Sequence, residues 1–472
     1  MDQGKLGRAG RDVLGSAGFG HEVVHYDTPS MPRLFGTDGV RGLAGRDLTD
    51  DLARSLGWAA VAALNERGVA RPRVLIGRDT RVSGGALERA LAQGIGAAGG
   101  QVVLLGVVPT PAVAHLVVAD GADAGAVISA SHNPAEYNGI KFFSREGYKL
   151  PDHIEDEIER LVQAGEAPAG DGSERVHDDP EAVERYLEFV TGSAGTLAGL
   201  RVVVDGANGA ASRIGPEALR RLGAEVIPIH DAPDGLNINE DCGATHPEAV
   251  ASAVLEHRAD AGVAFDGDAD RALFADADGN VIDGDQVLAA AAVWLRSEGR
   301  LKGDTVVTTV MANLGFRRAM DEAGIDVLET KVGDRYVLER MLEADAVLGG
   351  EQSGHVIFLE DATTGDGILT AAKFLSIAVA RGETLAGLAR TMRKYPQVLI
   401  NVEVGARGGL DGHDAVWTAV RATEEALGSS GRILVRESGT EPLVRVMVEA
   451  ETEALAGEHA ERIASVVRET LG

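Results

Sequence analysis

Ala122–Ser131 reads ADAGAVISAS, Ala259–Asp268 reads ADAGVAFDGD and Ala344–Ser353 reads ADAVLGGEQS. Each stretch starts from the same Ala-Asp-Ala, continues through apolar residues of the kind that fill a buried parallel strand, and ends in a polar cluster. Counting the same distance from Asp123, Asp260 and Asp345 reaches Ser131, Asp268 and Ser353. Working back from each stretch, the pattern before it also repeats. Val74-Leu75-Ile76 is a strand, GRDTR follows, then a helix from Gly85 to Ala98 and a strand from Val102 to Leu105. Val202–Val204, DGANG, a helix and GAEVIPI form the second copy. Val306–Val310, a helix through Arg317 and Ala323, and GIDVLET form the third. A repeat of this length means three similar α/β units. Open α/β sheets place ligand chemistry at the carboxyl ends of their strands. If the three units face a common cleft, their polar loops meet there. Three similar buried strands would account for the repeated apolar residues, but not for the polar clusters after them.

Breaks in the pattern divide the chain. Residues 1–30 have mixed charge, several glycines and no apolar run, so they do not read as a signal peptide. They are expected to be a flexible extension, with Met31 as the natural start. The first unit is predicted to span 31–195, with the Gly-, Ala-, Pro- and Asp-rich stretch from Gln163 to Pro180 as linker or surface loop. The second spans 196–298 and the third 299–395. Thr49 is expected to cap a helix whose first turn holds Asp50 and Asp51. From 396 to 472 the pattern alternates instead. NVEVG and RILVRESGTEPLVRVMVEA read as strands with one wet face, beside amphipathic helices at His413–Leu427 and Ala454–Leu471. This is a smaller α+β domain.

Acidic residues number 73 against 45 basic, a formal net charge of -28. That argues against nucleic acid or an anionic membrane as partner. It leaves anionic small molecules open, because distant surface charge is screened over ~8 Å in physiological salt. The single cysteine, Cys242, excludes an intramolecular disulfide and fits a reducing cytoplasm. The apolar run Val287–Leu295 is far short of the ~20 residues that span a bilayer.

The polar loops carry the chemistry. In SASHNP, Pro134 ends the strand pairing and leaves Ser131 at the strand's end. DGDADR places Asp266, Asp268 and Asp270 at alternate positions, and three crowded carboxylates repel unless a cation sits among them. Oxygen-only ligands suit Mg²⁺. An EF-hand fails, because Arg271 stands where that loop needs Gly and Ala277 where it needs Glu. A solvated acidic turn is the plain alternative. Asp276–Asn280 reads as a hairpin turn with Asp278-Gly279 at its tip. GEQSGH offers a carboxylate, an amide, a hydroxyl and an imidazole, suited to sugar hydroxyls or an ammonium; His355 alone is more often structural. Lys331 and Arg335 in TKVGDR are either surface charges or positive charge opposite a phosphate. RESGTEP combines glycine, hydroxyls and free amides with Arg436 and Arg445, a set that grips a phosphate.

Taken in order, GTDGVRG, GRDTR, SASHNP, DGDADR, GEQSGH and RESGTEP resemble the α-D-phosphohexomutase superfamily across Met31 to Gly472. The resemblance is closest to its bacterial phosphoglucosamine mutases, whose sugar loop reads GEQSGH where many phosphomannomutases and phosphoglucomutases read GEMSGH. It implies four domains around one central cleft and a phosphorylated serine, here Ser131. It implies one Mg²⁺ held by Ser131, Asp266, Asp268 and Asp270. Arg41, Lys141 and Arg271 would line the transfer site. Lys141 would be the leading general acid/base, with His355 second. Glu351, Ser353 and Lys331 would hold the sugar, and Arg436, Ser438, Gly439, Thr440 and Arg445 the non-reacting phosphate. Ala269 departs from the family pattern, where glycine is common; the ligands are kept, so little change is expected.

The activity so implied is an isomerase interconverting glucosamine 6-phosphate and glucosamine 1-phosphate through glucosamine 1,6-bisphosphate. It would be a cytoplasmic step toward UDP-N-acetylglucosamine and peptidoglycan precursors. A homodimer is compatible with the sequence and not required by it. The nearest alternative is a phosphomannomutase or phosphoglucomutase, against which Gln352 weighs. A Mg²⁺-dependent phosphatase would not need the serine to keep its phosphoryl group. A non-catalytic sugar-phosphate sensor would have no use for Ser131 together with three aspartates.

Overall fold

The structure is a computed structural model and describes residues 33–36, 38–165, 175–405, 409–438 and 442–472. The expected extension at 1–30 lies outside them. Phe35–Gly472 forms one compact unit.

Three α/β layers repeat one topology. In the first, the strands Arg73–Arg78, Gln101–Val107 and Ala124–Ile128 are parallel, with the first of them in the middle. Arg201–Asp205 is flanked in the same way by Glu225–Ile229 and Ala261–Phe265. Thr305–Thr309 is flanked by Asp326–Thr330 and Leu348–Gly350. Crossover helices cover the faces, so the middle strands are buried on both sides, with Val74–Ile76, Val202–Val204 and Val306–Val307 as their apolar centres. Small residues let the helices approach. A Cβ at Gly125 would fall 2.7 Å from Val117 Cγ2, and one at Gly262, the same position in the second copy, 2.7 Å from Val254 Cγ2.

One feature of the layers escapes the sequence pattern. After each polar loop the chain turns back and pairs antiparallel with the strand it has just left. The returning strands are Tyr137–Ser144, Ala272–Asp276 and Val356–Phe358. Each loop is therefore the tip of a hairpin anchored on both sides, and Lys141 arrives on such a return strand. The turn at Asp278-Gly279 joins Ala272–Asp276 to Val281–Ile282, as expected. Thr49 Oγ accepts the Leu52 N–H at 3.2 Å and caps the helix Asp50–Glu66.

The fourth module is a three-stranded antiparallel sheet, Gln397–Glu403, Leu443–Glu449 and Arg432–Glu437, backed by Asp414–Leu427 and Glu453–Leu471 around its own core. It docks on the third layer through the buried Glu449, through Arg432, which donates to the carbonyls of Val310 and Ala312, and through Arg318, which donates to Ser429 O. Glu449 accepts the Leu314 N–H at 2.8 Å and Asn313 Nδ2 at 3.3 Å, so it neutralises the N-terminus of the helix Leu314–Glu322. Among the described residues no helix is long and apolar enough to cross a membrane.

Candidate active site

The loops of the three layers meet. Ser131, buried, donates its hydroxyl to Asp266 Oδ2 at 2.6 Å. Its backbone is left-handed, with φ 51°, a conformation that costs an L-residue about 1–2 kcal/mol. Several contacts maintain it. Ser129 Oγ accepts the Ser131 N–H at 2.9 Å. The guanidinium of Arg81, wholly buried, donates to the carbonyls of Ser131 (2.9 Å), Asn133 (2.7 Å) and Pro134. From the second layer Asn239 Nδ2 donates to the carbonyls of Ser131 (2.9 Å) and Asn133 (3.1 Å). Gly267 admits this close contact, since a Cβ there would lie 2.5 Å from Ser131 O. His132 Nδ1 stands 3.3 Å from Ser131 Oγ; burial, with Arg271 and Arg41, lowers its proton affinity.

Asp266, Asp268 and Asp270 are all buried and bring one oxygen each within 4.8 Å of one another. Burial first, then Asp270 and Asp268, push the Asp266 carboxyl well above the usual carboxylate range. Against the upward push of burial, His355, Lys141 and Arg271 hold Asp270 below it. Asp268 Oδ1 and Asp270 Oδ1 are buried without a hydrogen-bond partner. Two orphaned carboxylate oxygens beside a third carboxylate and a serine hydroxyl fit a hard divalent cation. Thr110 Oγ1 aims Asp268 by donating to Oδ2 at 2.7 Å. Ala269, where the family pattern favours glycine, also has positive φ (58°), so the preference reflects backbone strain at this turn.

Lys141 is buried with Nζ 3.0 Å from Asp268, 3.4 Å from Asp38 and 4.0 Å from Asp270. Burial opposes its charge, but these carboxylates win and raise its pKa. It is a held cation. Arg41 pairs with Asp38, and Arg271 lies 3.7 Å from Asp270 with its backbone N–H 3.2 Å from Asp266. Lys149 donates to both Asp38 and Asp334, joining the first layer to the TKVGDR turn of the third.

In the sugar loop, Glu351 Oε1 accepts the Gly333 N–H at 2.9 Å, and Ser353 Oγ is buried without a partner. Gln352 turns into its own layer, donating to Asp285 at 3.3 Å. His355 lies beneath the metal loop: Nδ1 is 3.6 Å from Asp270 and Nε2 accepts the Gly365 N–H at 3.1 Å. Lys331 is exposed two residues before Gly333. Arg335, read as a surface charge or a phosphate partner, is neither; it donates to Asp152, Glu155 and Leu150 O of the first layer. In the fourth module Arg436 and Arg445 are direct cross-strand partners. Burial, then Arg445, lowers the Arg436 pKa, and such a like-charged pair favours an anion between them. Ser438 is buried at the strand end; Gly439 and Thr440 lie outside the described residues.

Sequence reasoning passed over Arg81, Asn239, Thr110, Lys149 and Asp38. GRDTR and GTDGVRG, which contain Arg81 and Asp38, were the available signals. Asn239 lies in an asparagine-rich turn with no such mark. A cavity of about 780 Å³ lies between the first two layers, lined by Thr80, Leu187 and Arg213 among others, and touches none of the three catalytic loops.

All four domains of one family match in order. They are phosphoglucomutase/phosphomannomutase alpha/beta/alpha domain I (residues 32–169), domain II (184–279), domain III (283–395) and the C-terminal domain (399–466). The chain belongs to the phosphoglucomutase/phosphomannomutase family. Within it, the chain is 54% identical over 445 residues to a phosphoglucosamine mutase of Thermobifida fusca, covering 93% of this chain and 99% of that one. It is 53% identical over 446 residues to a phosphoglucosamine mutase of Symbiobacterium thermophilum, covering 93% and 100%. A solved phosphoglucomutase/phosphomannomutase family protein of Burkholderia thailandensis superposes with TM-score 0.79 at 27% identity, over 93% of this chain and 97% of that one. An Aspergillus fumigatus N-acetylphosphoglucosamine mutase, solved with GlcNAc-6P and magnesium, shares the fold with TM-score 0.66 at 19% identity, over 95% and 97%.

Proposed function

We propose that this family member interconverts glucosamine 6-phosphate and glucosamine 1-phosphate, in the cytoplasm, on the way to UDP-N-acetylglucosamine. The observation that carries the chemistry is Ser131 Oγ at 2.6 Å from Asp266, inside the buried three-aspartate cluster. The choice of sugar rests on the relatives' identity and on GEQSGH.

Ser131 carries the phosphoryl group in the working enzyme. The P–O bond to Ser131 Oγ breaks as a substrate hydroxyl oxygen bonds to phosphorus; the hydroxyl's proton is released and Ser131 Oγ takes one up through Lys141, so the step yields glucosamine 1,6-bisphosphate and a free serine hydroxyl with no net change in protons. After the bisphosphate turns over, Ser131 Oγ takes the other phosphoryl group. Asp266, Asp268 and Asp270, beside the serine, would hold a magnesium ion, which when bound would supply charge neutralisation for the transferring group. Arg271, Lys141 and Arg41 add fixed positive charge around it. Lys141, kept protonated by its carboxylates, acts as cation and proton donor rather than as resting base. His355, with both ring nitrogens engaged, orients Asp270. Glu351 and Ser353 take sugar hydroxyls, with Lys331 at the loop's outer edge. Arg436, Ser438, Gly439, Thr440 and Arg445 grip the distal phosphate.

Comparing kcat/KM for glucosamine, glucose and mannose 6-phosphates tests the substrate; a large preference for an uncharged hexose overturns it. Ser131→Ala is expected to lose mutase turnover while still binding sugar phosphate.

A further inference from the structure

We propose that Asp205, His230 and Cys242 form a second metal site in the second layer, built for a thiolate-binding transition ion such as Zn²⁺. Their ligand atoms lie within 4.8 Å of one another. Ligand atoms so spaced can surround one ion, to which each would bond at the ~2.0–2.3 Å typical of zinc. Asp205 and Cys242 are fully buried, and the His230 ring is about one-third exposed, which gives an ion a way in and leaves a side open to water. Sulfur, nitrogen and oxygen together separate this set from the all-oxygen aspartate cluster, and favour zinc over magnesium.

His230 Nδ1 is 3.0 Å from Asp205 Oδ2 with no well-aligned hydrogen bond, so the two groups stand ready to share an ion with the Cys242 sulfur. The carboxylate itself is firmly placed. Oδ1 accepts the Ala207 N–H at 2.9 Å and Oδ2 the Gly243 N–H at 3.0 Å, leaving each oxygen a further lone pair. Backbone support of this kind orients metal ligands. Ion binding replaces the Cys242 thiol proton, which passes to solvent as the metal–sulfur bond forms.

The three ligands come from separate segments: the end of Arg201–Asp205, the residue after Glu225–Ile229, and the residue before the turn Gly243–Thr245. The chain between His230 and Cys242 carries Asn239. Its side chain holds the Ser131 and Asn133 carbonyls, and its N–H bonds Ala207 O at 2.9 Å. An ion here would staple the segment that clamps the serine loop.

The test uses the full chain, stripped by a chelator, given excess Mg²⁺ to fill the aspartate cluster, and titrated with Co²⁺. Cys242 is the chain's sole cysteine, so a thiolate-to-cobalt charge-transfer band reports this site alone. One equivalent of Co²⁺ is expected to produce the band and Zn²⁺ to remove it. Cys242→Ser should abolish it, and His230→Ala should weaken Co²⁺ binding at least tenfold with an unchanged circular dichroism spectrum. If His230→Ala misfolds, Asp205→Asn is read in its place, with the same expectation. No band at saturating Co²⁺, or a band of unchanged affinity in the folded His230 or Asp205 variant, overturns the proposal.

Discussion

Replacing Arg81 by Met keeps the length and apolar stem of the side chain but removes every donor. The guanidinium is completely buried and bonds Asp79 at 2.9 Å, Ser131 O at 2.9 Å, Asn133 O at 2.7 Å and Pro134 O. Four charge-assisted bonds at ~1.5–3 kcal/mol each would suggest a very large loss. Two features limit it. Asn239 still serves two of the carbonyls, and Asp79, already raised by burial, can take up a proton. Removing one partner of a buried pair costs ~3–5 kcal/mol, and that is the destabilisation expected in urea unfolding. The effect on turnover is separate. With Arg81 gone, the left-handed Ser131 can relax, and a shift of about 1 Å at a reacting group costs ~10²-fold in rate. Turnover should fall by about that factor while KM for the sugar phosphate changes little. Arg81→Lys should rescue little, because an ammonium cannot fork onto three carbonyls. Urea midpoints and coupled steady-state kinetics measure the two effects. An Arg81→Met enzyme with wild-type midpoint and turnover would refute the reasoning.

Lys149→Met leaves Asp38 and Asp334 facing each other, so turnover should fall by tenfold or more, equivalent to ~1.4 kcal/mol; unchanged steady-state kinetics would remove the bridge from the mechanism. Chelation should abolish turnover, and Mg²⁺ should restore it. Without the cation, the raised Asp266 pKa adds stability that is fully present below the unfolded value of ~3.9 and is lost as pH rises through the folded value. Stability of the stripped enzyme should thus fall with rising pH, and saturating Mg²⁺ should flatten the profile. Burial, with Asp283, pushes Asp285 up to about 7, so the same sign applies: its contribution is lost as pH rises through 7. Over that rise of about three units the change is ~4 kcal/mol, and Asp285→Asn should remove the slope between about pH 4 and 7 in urea midpoints. Ala269→Gly should relieve positive-φ strain and raise the unfolding free energy by an amount on the order of 1 kcal/mol, read as a higher urea midpoint; a lower midpoint would count against the strain.

The repeat, the four modules and the polar loops were legible from local pattern. A buried strand needs an apolar run, a hairpin tip needs turn residues, and a cation site needs clustered oxygens, and each leaves its mark within a few consecutive residues. GEQSGH shows where that legibility stops. Four functional groups stand together in the sequence, but in the structure Gln352 bonds inward to Asp285, His355 lies under Asp270, and Glu351 is tied to Gly333. Arg335 looked equivalent to a cleft cation and instead ties the first layer to the third.

The sequence by itself determined three homologous layers, a fourth sheet, and which short loops carry hydroxyl, carboxylate, amide and guanidinium groups. Only the tertiary structure decided which of those groups face one another: Arg81 and Asn239 on the Ser131 loop, Lys149 between Asp38 and Asp334, Arg436 opposite Arg445, and His230 beside Cys242. The reason is physical. Chain pattern encodes burial and local hydrogen bonding, whereas these pairs join residues brought together by layer packing or strand register, where burial makes their charges interact strongly.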